Sequence, residues 1–304
     1  MRVICNIERK FAGMVKLFCV PGGAASALAY LPWAKLLDPE IKLCLLEIAG
    51  RGLRRAEKPF RTMDEVADDL YSNLVKQLEP DDDYMIMGYC FGSVASYELY
   101  RRIIQNDLKR PFHVFYCASD PPDGNTYATS LFSDVRRQPE MIEVLERYFP
   151  EHVFSDRSMI EAFCRKYTEQ CFKNYAENGK YVPVRPEQIY SDEEMESADI
   201  VNQLKSFEFA NHTMSLFDVD QTIVSSYQNS PRDYFKVDTD ITVLAGNRDT
   251  MTPLEDMRHW DHVAGRGFEI EVIDGGHLIM VDGYKNCVPV VNKAAQAFLR
   301  GKEA

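Results

Sequence analysis

The chain lacks most of the signals that would divert a functional reading. No run approaches the ~18 consecutive apolar residues of a membrane helix, and residues 1–10 carry no apolar stretch of the kind a secretory leader needs. The expectation is a cytoplasmic protein with no membrane partner. Positive charge is in deficit: 35 Lys and Arg stand against 47 Asp and Glu, a formal net charge of -12. That balance argues against nucleic acid or an anionic bilayer as partner, since both are polyanions. Eight cysteines, at positions 5, 19, 44, 90, 117, 164, 171 and 287, form no C-x-x-C pair and no Cys/His cluster at zinc spacing. No metal is expected, and seven of the eight read as reduced structural residues. There is no G-x-x-x-x-G-K and no complete G-x-G-x-x-G, which weighs against nucleotide binding. Internal repeats and low-complexity blocks are absent as well.

What is present is the material of a large core. A chain of 304 residues with 45% hydrophobic composition fits one α/β domain with an insertion. Apolar runs at 14–20, 41–48, 84–87, 114–117, 241–245 and 268–273 have strand length and composition, and helical spacing separates most of them. Leu28, Leu31, Trp33, Leu36 and Leu37 mark a helix after the first run. Thr62 and Glu65 form a capping box ahead of Val66, Leu70, Leu74, Val75 and Leu78. A closing helix is expected over 292–299. Strands alternating with helices imply a mostly parallel, doubly covered sheet. From about 120 to 235 the pattern changes to charged, aromatic, helical sequence, notably 141–149, 159–175 and 198–216, with an exposed loop over 183–196. The expected organisation is therefore a core of 1–120 and 236–304, with 121–235 inserted as a helical cap or lid. An independent helical domain is the alternative.

The chemistry concentrates at Gly88-Tyr89-Cys90-Phe91-Gly92. An apolar strand precedes it and helical spacing follows, so it reads as the G-x-S-x-G nucleophile elbow with sulfur in place of oxygen. In that turn the nucleophile sits in a strained conformation, and the flanking glycines let strand and helix pass closely. The Phe91 N–H then faces the substrate oxygen, and the helix N-terminus favours a thiolate at Cys90. The small-residue loop Pro21-Gly22-Gly23-Ala24-Ala25-Ser26 follows the first strand, where elbow enzymes place a second oxyanion donor, and Gly23 is the candidate. A buried cysteine after a core strand is the plain alternative.

Asp249 and His277 each follow an expected strand, which puts both on the sheet edge that carries Cys90. The order Cys90, Asp249, His277 is the nucleophile, acid, base order of elbow hydrolases. Twenty-eight residues separate Asp249 from His277, enough for one helix and one strand, so the two end in adjacent loops. His277 would accept the Cys90 proton while Asp249 fixes its tautomer. Tyr89, Gly22 and His212, the last in the cap, are candidates for substrate contact.

Taken together, Leu17 to Ser26, Tyr30-Leu31-Pro32-Trp33, Gly50-Arg51-Gly52 with Arg54, Gly88 and Gly92 with Tyr97-Glu98-Leu99, and Gly275-Gly276-His277 resemble a type II thioesterase. These are α/β-hydrolases acting on acyl groups held on carrier proteins of nonribosomal peptide and polyketide assembly lines. The resemblance covers about 14–125 and 237–300. It implies an α/β-hydrolase fold, no bound cofactor, a substrate presented on phosphopantetheine, and an acyl or peptidyl carrier protein as partner. Three departures stand out: the usual Ser is Cys90, the usual His before it is Tyr89, and the cap is longer than the family normally has. Cysteine at this position also occurs in dienelactone hydrolases, polyhydroxyalkanoate synthases and aminoacyltransferases that work between carrier proteins. Transfer through an acyl-Cys90, editing hydrolysis of the same thioesters, and a non-catalytic carrier-binding role are thus all open. The retained Asp249 and His277 weigh against the third. Because carrier proteins are acidic, docking calls for a local basic patch, for which Arg51, Arg54 and Arg55 or Arg165 and Lys166 are candidates.

Overall fold

The computed structural model describes residues 14–124, 130–149, 156–196 and 200–303; Cys5 lies outside them. Six strands, β1 (Val15–Val20), β2 (Ile41–Leu45), β3 (Asp83–Tyr89), β4 (His113–Cys117), β5 (Asp240–Gly246) and β6 (Phe268–Ile273), form one sheet in the order β2-β1-β3-β4-β5-β6. Every pairing is parallel. The inner strands are continuous apolar runs because both faces are covered, and side chains of alternating parity serve the two sides. Phe18, Tyr84, Ile86, Val114 and Tyr116 face a core shared with helices α1 (Met63–Val75) and α2 (Phe91–Gln105). Leu17, Cys19, Met85, Met87 and Phe115 face the other, shared with Trp33 and the closing helix α8 (Tyr284–Glu303).

The Thr62–Glu65 capping box forms at the start of α1. Three boundaries differ from the sequence reading. Residues Ala27–Lys35 make a 3₁₀ helix rather than an α-helix, with Pro32 inside it, consistent with the amide hydrogen that proline cannot donate. Strand β2 stops at Leu45, short of residue 48. Helix α8 starts at Tyr284, before its Pro289.

Between β4 and β5 lie helices α3 (Gln138–Tyr148), α4 (Arg157–Asn178), the one-turn α5 (Asp192–Met195) and α6 (Ile200–Gln228). Their apolar faces build a separate cluster around Met141, Leu145, Phe163, Tyr167, Phe207 and Met214. Helix α6 does not end there: Ile223, Val224 and Tyr227 belong to the sheet core, and the Tyr227 hydroxyl donates to Glu98 Oε1 at 2.6 Å on α2. Helix α6 thus joins the two clusters, packing on the sheet as well as on the other inserted helices. A short helix, α7 (Leu254–Met257), follows β5.

The crossing of β3 into α2 depends on two glycines. A Cβ at Gly88 would lie 2.4 Å from Gly92 O, and one at Gly92 would lie 2.5 Å from both Pro21 O and Val20 O. Backbone cannot yield there. Alanine is favoured over glycine inside a helix by about 1 kcal/mol, but overpacking against fixed backbone costs up to about 3 kcal/mol in the usual range, so Gly92→Ala is expected to destabilise the protein by about 2 kcal/mol net. Urea unfolding measures it, and an unchanged midpoint would contradict the close crossing.

Candidate active site

Cys90 sits between β3 and α2 with φ 51° and ψ -119°, a region that costs a non-glycine residue about 1–3 kcal/mol. The turn is held in several places. The Cys90 N–H donates to Cys117 O at 2.8 Å and Ser93 N–H to Cys90 O at 2.9 Å. Ser93 Oγ donates to Gly88 O at 2.9 Å and accepts from Cys117 N–H at 3.1 Å. Cys90 retains partial exposure, whereas the other described cysteines are buried.

Asp249, in the loop after β5, is saturated with donors. Its Oδ1 accepts from Met251 N–H at 2.9 Å and Thr252 N–H at 3.0 Å, and Oδ2 accepts from Thr252 Oγ1 at 2.7 Å. His277 Nδ1 lies 3.0 Å from the same Oδ2. A carboxylate only accepts, so Nδ1 carries hydrogen and Nε2 is left for Cys90, with which His277 shares a side-chain hydrogen bond. Burial opposes charge on His277, yet Asp249 and Cys90 outweigh it and hold the imidazole well above its usual range. Burial likewise raises Asp249, but the His277 charge and hydrogen bond and the Thr252 donors bring its carboxyl below the ordinary value. An imidazolium beside sulfur at the N-terminus of a 15-residue helix favours a thiolate. The arrangement can therefore attack a carbonyl carbon and protonate a leaving group from one histidine.

Phe91 N–H, the first of α2, has no acceptor within its helix, and Gly23 lies across the same pocket. Among the described residues neither N–H has a hydrogen-bond acceptor. Tyr89 lines this pocket too, with its ring 5.7 Å from that of His277 and its hydroxyl donating to His277 O at 3.1 Å. Gly22 sits behind, where a Cβ would meet the Tyr89 ring at 2.7 Å. His212 is the exception. It is absent from the residues lining the pocket and instead meets the Gly50 backbone, with burial and Arg55 lowering its pKa. The nearest pocket-lining residue of α6, Phe217, stands more than one helical turn further along the helix. The cap contributes to the pocket through Met141, Val144 and Tyr148 of α3 and Phe217, Asp220, Gln221 and Val224 of α6. The free space they leave is about 40 Å³, room for only a few water molecules.

Residues 15–200 match the family described as "Thioesterase domain". The chain belongs to this thioesterase family. The match spans Gly23, Cys90 and the first cap helices. The gramicidin S biosynthesis protein GrsT of Aneurinibacillus migulanus is 21% identical over 98% of this chain and 95% of its own. Among solved structures, YbtT, a type II thioesterase from the yersiniabactin NRPS/PKS biosynthetic pathway, is 16% identical with a TM-score of 0.64, covering 95% of both chains. ClbQ from the colibactin NRPS/PKS pathway is 20% identical with a TM-score of 0.61, covering 94% of this chain and 98% of its own. At these identities the structures establish a shared α/β-hydrolase fold.

In this thioesterase-family site, Thr252, Tyr148 and Asp220 lie outside the sequence reading, and Arg51 stands in a different role from the docking one. Thr252 was legible from the spacing Asp249-x-x-Thr252, in which a carboxylate accepts from amides two and three residues on. Tyr148, over the pocket, carried no local signal. Neither did the buried pair of Arg51 and Asp220, each 3% exposed, joined at 2.7 Å and 2.8 Å. That pair corrects the docking reading for Arg51, whose guanidinium is buried against the cap. Arg54 is also committed, to Glu57 and Asp69, and Lys166 lies 3.4 Å from Glu194. Among the described residues no three His, Cys, Asp or Glu side chains converge to hold a metal, and no helix is long and apolar enough to cross a membrane.

Cys90 is expected to alkylate at least about 100-fold faster near neutral pH than the buried cysteines, because the thiolate is the nucleophile. Burial pushes Cys44 up to about 11 and Cys171 and Cys287 to about 12. Mass mapping after brief iodoacetamide treatment of a Cys5→Ser variant checks this; preferential labelling of Cys164 or Cys171 would overturn it.

Proposed function

We propose that this chain is an acyl-thioester enzyme working through a covalent Cys90 acyl-enzyme, taking acyl or aminoacyl groups from the phosphopantetheine of a carrier protein and passing them to another acceptor. The observation that carries the reading is the strained Cys90, hydrogen-bonded to His277, which is in turn bonded to a fully engaged Asp249. The Cys90 thiolate adds to the thioester carbonyl while Phe91 and Gly23 N–H groups receive the oxyanion. The carbon–sulfur bond to phosphopantetheine breaks as His277 gives its proton to the departing thiolate, which leaves as the thiol. Discharge runs in reverse: neutral His277 removes a proton from the incoming thiol or water, and Cys90 leaves as thiolate.

The choice of acceptor rests on sulfur. Exchange of one thioester for another is nearly balanced in free energy, so an acyl-Cys90 can be returned to a second phosphopantetheine thiol. We read residues 121–235 as the lid, and its close, mostly apolar cover over Cys90 limits the water available for hydrolysis. A second reading, editing hydrolysis, is favoured by the type II thioesterase of an NRPS/PKS pathway that shares the fold. Intact-mass measurement after mixing with an acyl-loaded carrier separates the two. The expected result is an acyl adduct on Cys90 that discharges onto an added unloaded carrier, with slow release of free acid. Acid release at a rate indifferent to acceptor carrier would replace transfer with hydrolysis.

A further inference from the structure

The oxyanion loop is finished by a residue of the cap. The chain turns back over Gly22–Ala25, closed by Ala25 N–H donating to Gly22 O at 3.2 Å. In the type II form of such a turn the third residue is left-handed and usually glycine; Ala24 stands there at φ 54°, a conformation that alanine adopts only under strain. Its N–H donates at 2.8 Å to Asp220 Oδ2, a side chain of α6 distant in sequence. Arg51 holds both carboxylate oxygens of Asp220 from the other side. The ring of Phe217, one turn before Asp220 on α6, comes to 3.4 Å of where a Gly23 Cβ would stand.

The geometry of the peptide links these contacts to catalysis. Gly22 C=O and Gly23 N–H belong to one trans peptide plane and point in opposite directions. Whatever fixes Gly22 O therefore aims Gly23 N–H, and Gly22 O is fixed by Ala25 N–H within a loop whose next peptide, Gly23 C=O with Ala24 N–H, is anchored on Asp220. We propose that Asp220 is a positioning residue: from the cap it anchors the Ala24 amide, and with Phe217 packed on Gly23 it holds the loop in the place from which Gly23 N–H serves the oxyanion on the Cys90 adduct. The second oxyanion donor is then complete only with α6 seated, and Arg51 neutralises a carboxylate that would otherwise oppose negative charge building nearby. This inference rests on the Cys90 reading proposed above.

Two paired substitutions test it. Asp220→Asn with Arg51→Gln keeps an acceptor for Ala24 N–H and leaves no buried charge. Asp220→Leu with Arg51→Met keeps the volume but removes the acceptor, and an apolar replacement of a buried ion pair usually leaves folding intact; wild type serves as the acceptor-bearing reference if the amide pair does not fold. Each is measured for thermal midpoint, for Cys90 alkylation by iodoacetamide, a displacement with no oxyanion, and for acylation of Cys90 by a short acyl N-acetylcysteamine thioester. In the apolar pair, acylation is expected to fall about 100-fold in kcat, the scale of one lost oxyanion donor, with KM and the alkylation rate within about threefold of wild type. The amide pair is expected to stay within about tenfold of wild type. Equal acylation in the two pairs, or acylation and alkylation falling together, overturns the proposal. A wild type that alkylates at Cys90 but never carries the acyl group overturns the underlying function and this proposal with it, a result distinguished by its appearance before any substitution is made.

Discussion

Cys90→Ser is expected to leave the fold intact and to cut acceptor-dependent transfer by about 100-fold or more. The turn already accommodates a side chain of this size at φ 51°, so the loss is chemical. A thiol beside His277 deprotonates readily, whereas serine is weak at its free pKa and needs a base during attack itself. The product also changes: an oxygen ester lies below a thioester in free energy, so return of the acyl group to a phosphopantetheine thiol runs uphill. Acyl groups that reach the substituted hydroxyl are expected to stay there or to leave as free acid. Mass analysis with and without neutral hydroxylamine, which releases thioesters far faster than esters, measures both effects. Transfer by the serine variant at the wild-type rate would contradict a covalent thioester at position 90.

His277→Ala is expected to lower turnover by at least about 10³-fold with the fold retained, the upper part of the range for a general acid–base group. The same ring serves acylation, where it protonates the leaving thiol, and discharge, where it must be neutral. Asp249→Asn is expected to cost less, between about 10-fold and 10³-fold, because easier deprotonation of sulfur makes the orienting carboxylate less critical than for serine. It also carries a signature in pH. Burial lowers the His277 pKa, and the Asp249 charge is the first of the groups that raise it again; removing that charge lets the value fall. Neutral imidazole is then present at lower pH, so the rise of discharge with pH should shift downward in Asp249→Asn, while acylation, which needs the imidazolium, should decline at a lower pH than in wild type. Profiles that superimpose on wild type would detach Asp249 from His277, as would full activity in His277→Ala.

Sequence alone determined the parallel sheet and the three chemical groups, for a local reason. Strands β1, β3 and β4 are nearly continuous apolar runs because both faces are buried, and that is visible without knowing the partner. Gly88, Cys90 and Gly92 announce themselves because one tight strand-to-helix turn dictates residue types at fixed spacing. Asp249 and His277 are recognisable because each sits just beyond a legible strand, and a parallel sheet gathers such positions on one edge. The capping box at Thr62 is local in the same sense.

The tertiary structure decided what depends on distant partners. Nothing near Arg51 in sequence says that Asp220 will bury it, and nothing near Ala24 says that the same carboxylate will anchor its amide; the contacts span 169 and 196 residues. His212 is the cap histidine that the sequence offers for substrate contact, and the azimuth and length of α6 turn it toward Gly50 and out of the pocket that holds Cys90. Tyr148 reached the pocket through the packing of α3, whose apolar spacing serves a lid and an ordinary core equally well. Periodicity identifies which face of a helix is buried, but the choice of what it is buried against belongs to the assembled fold.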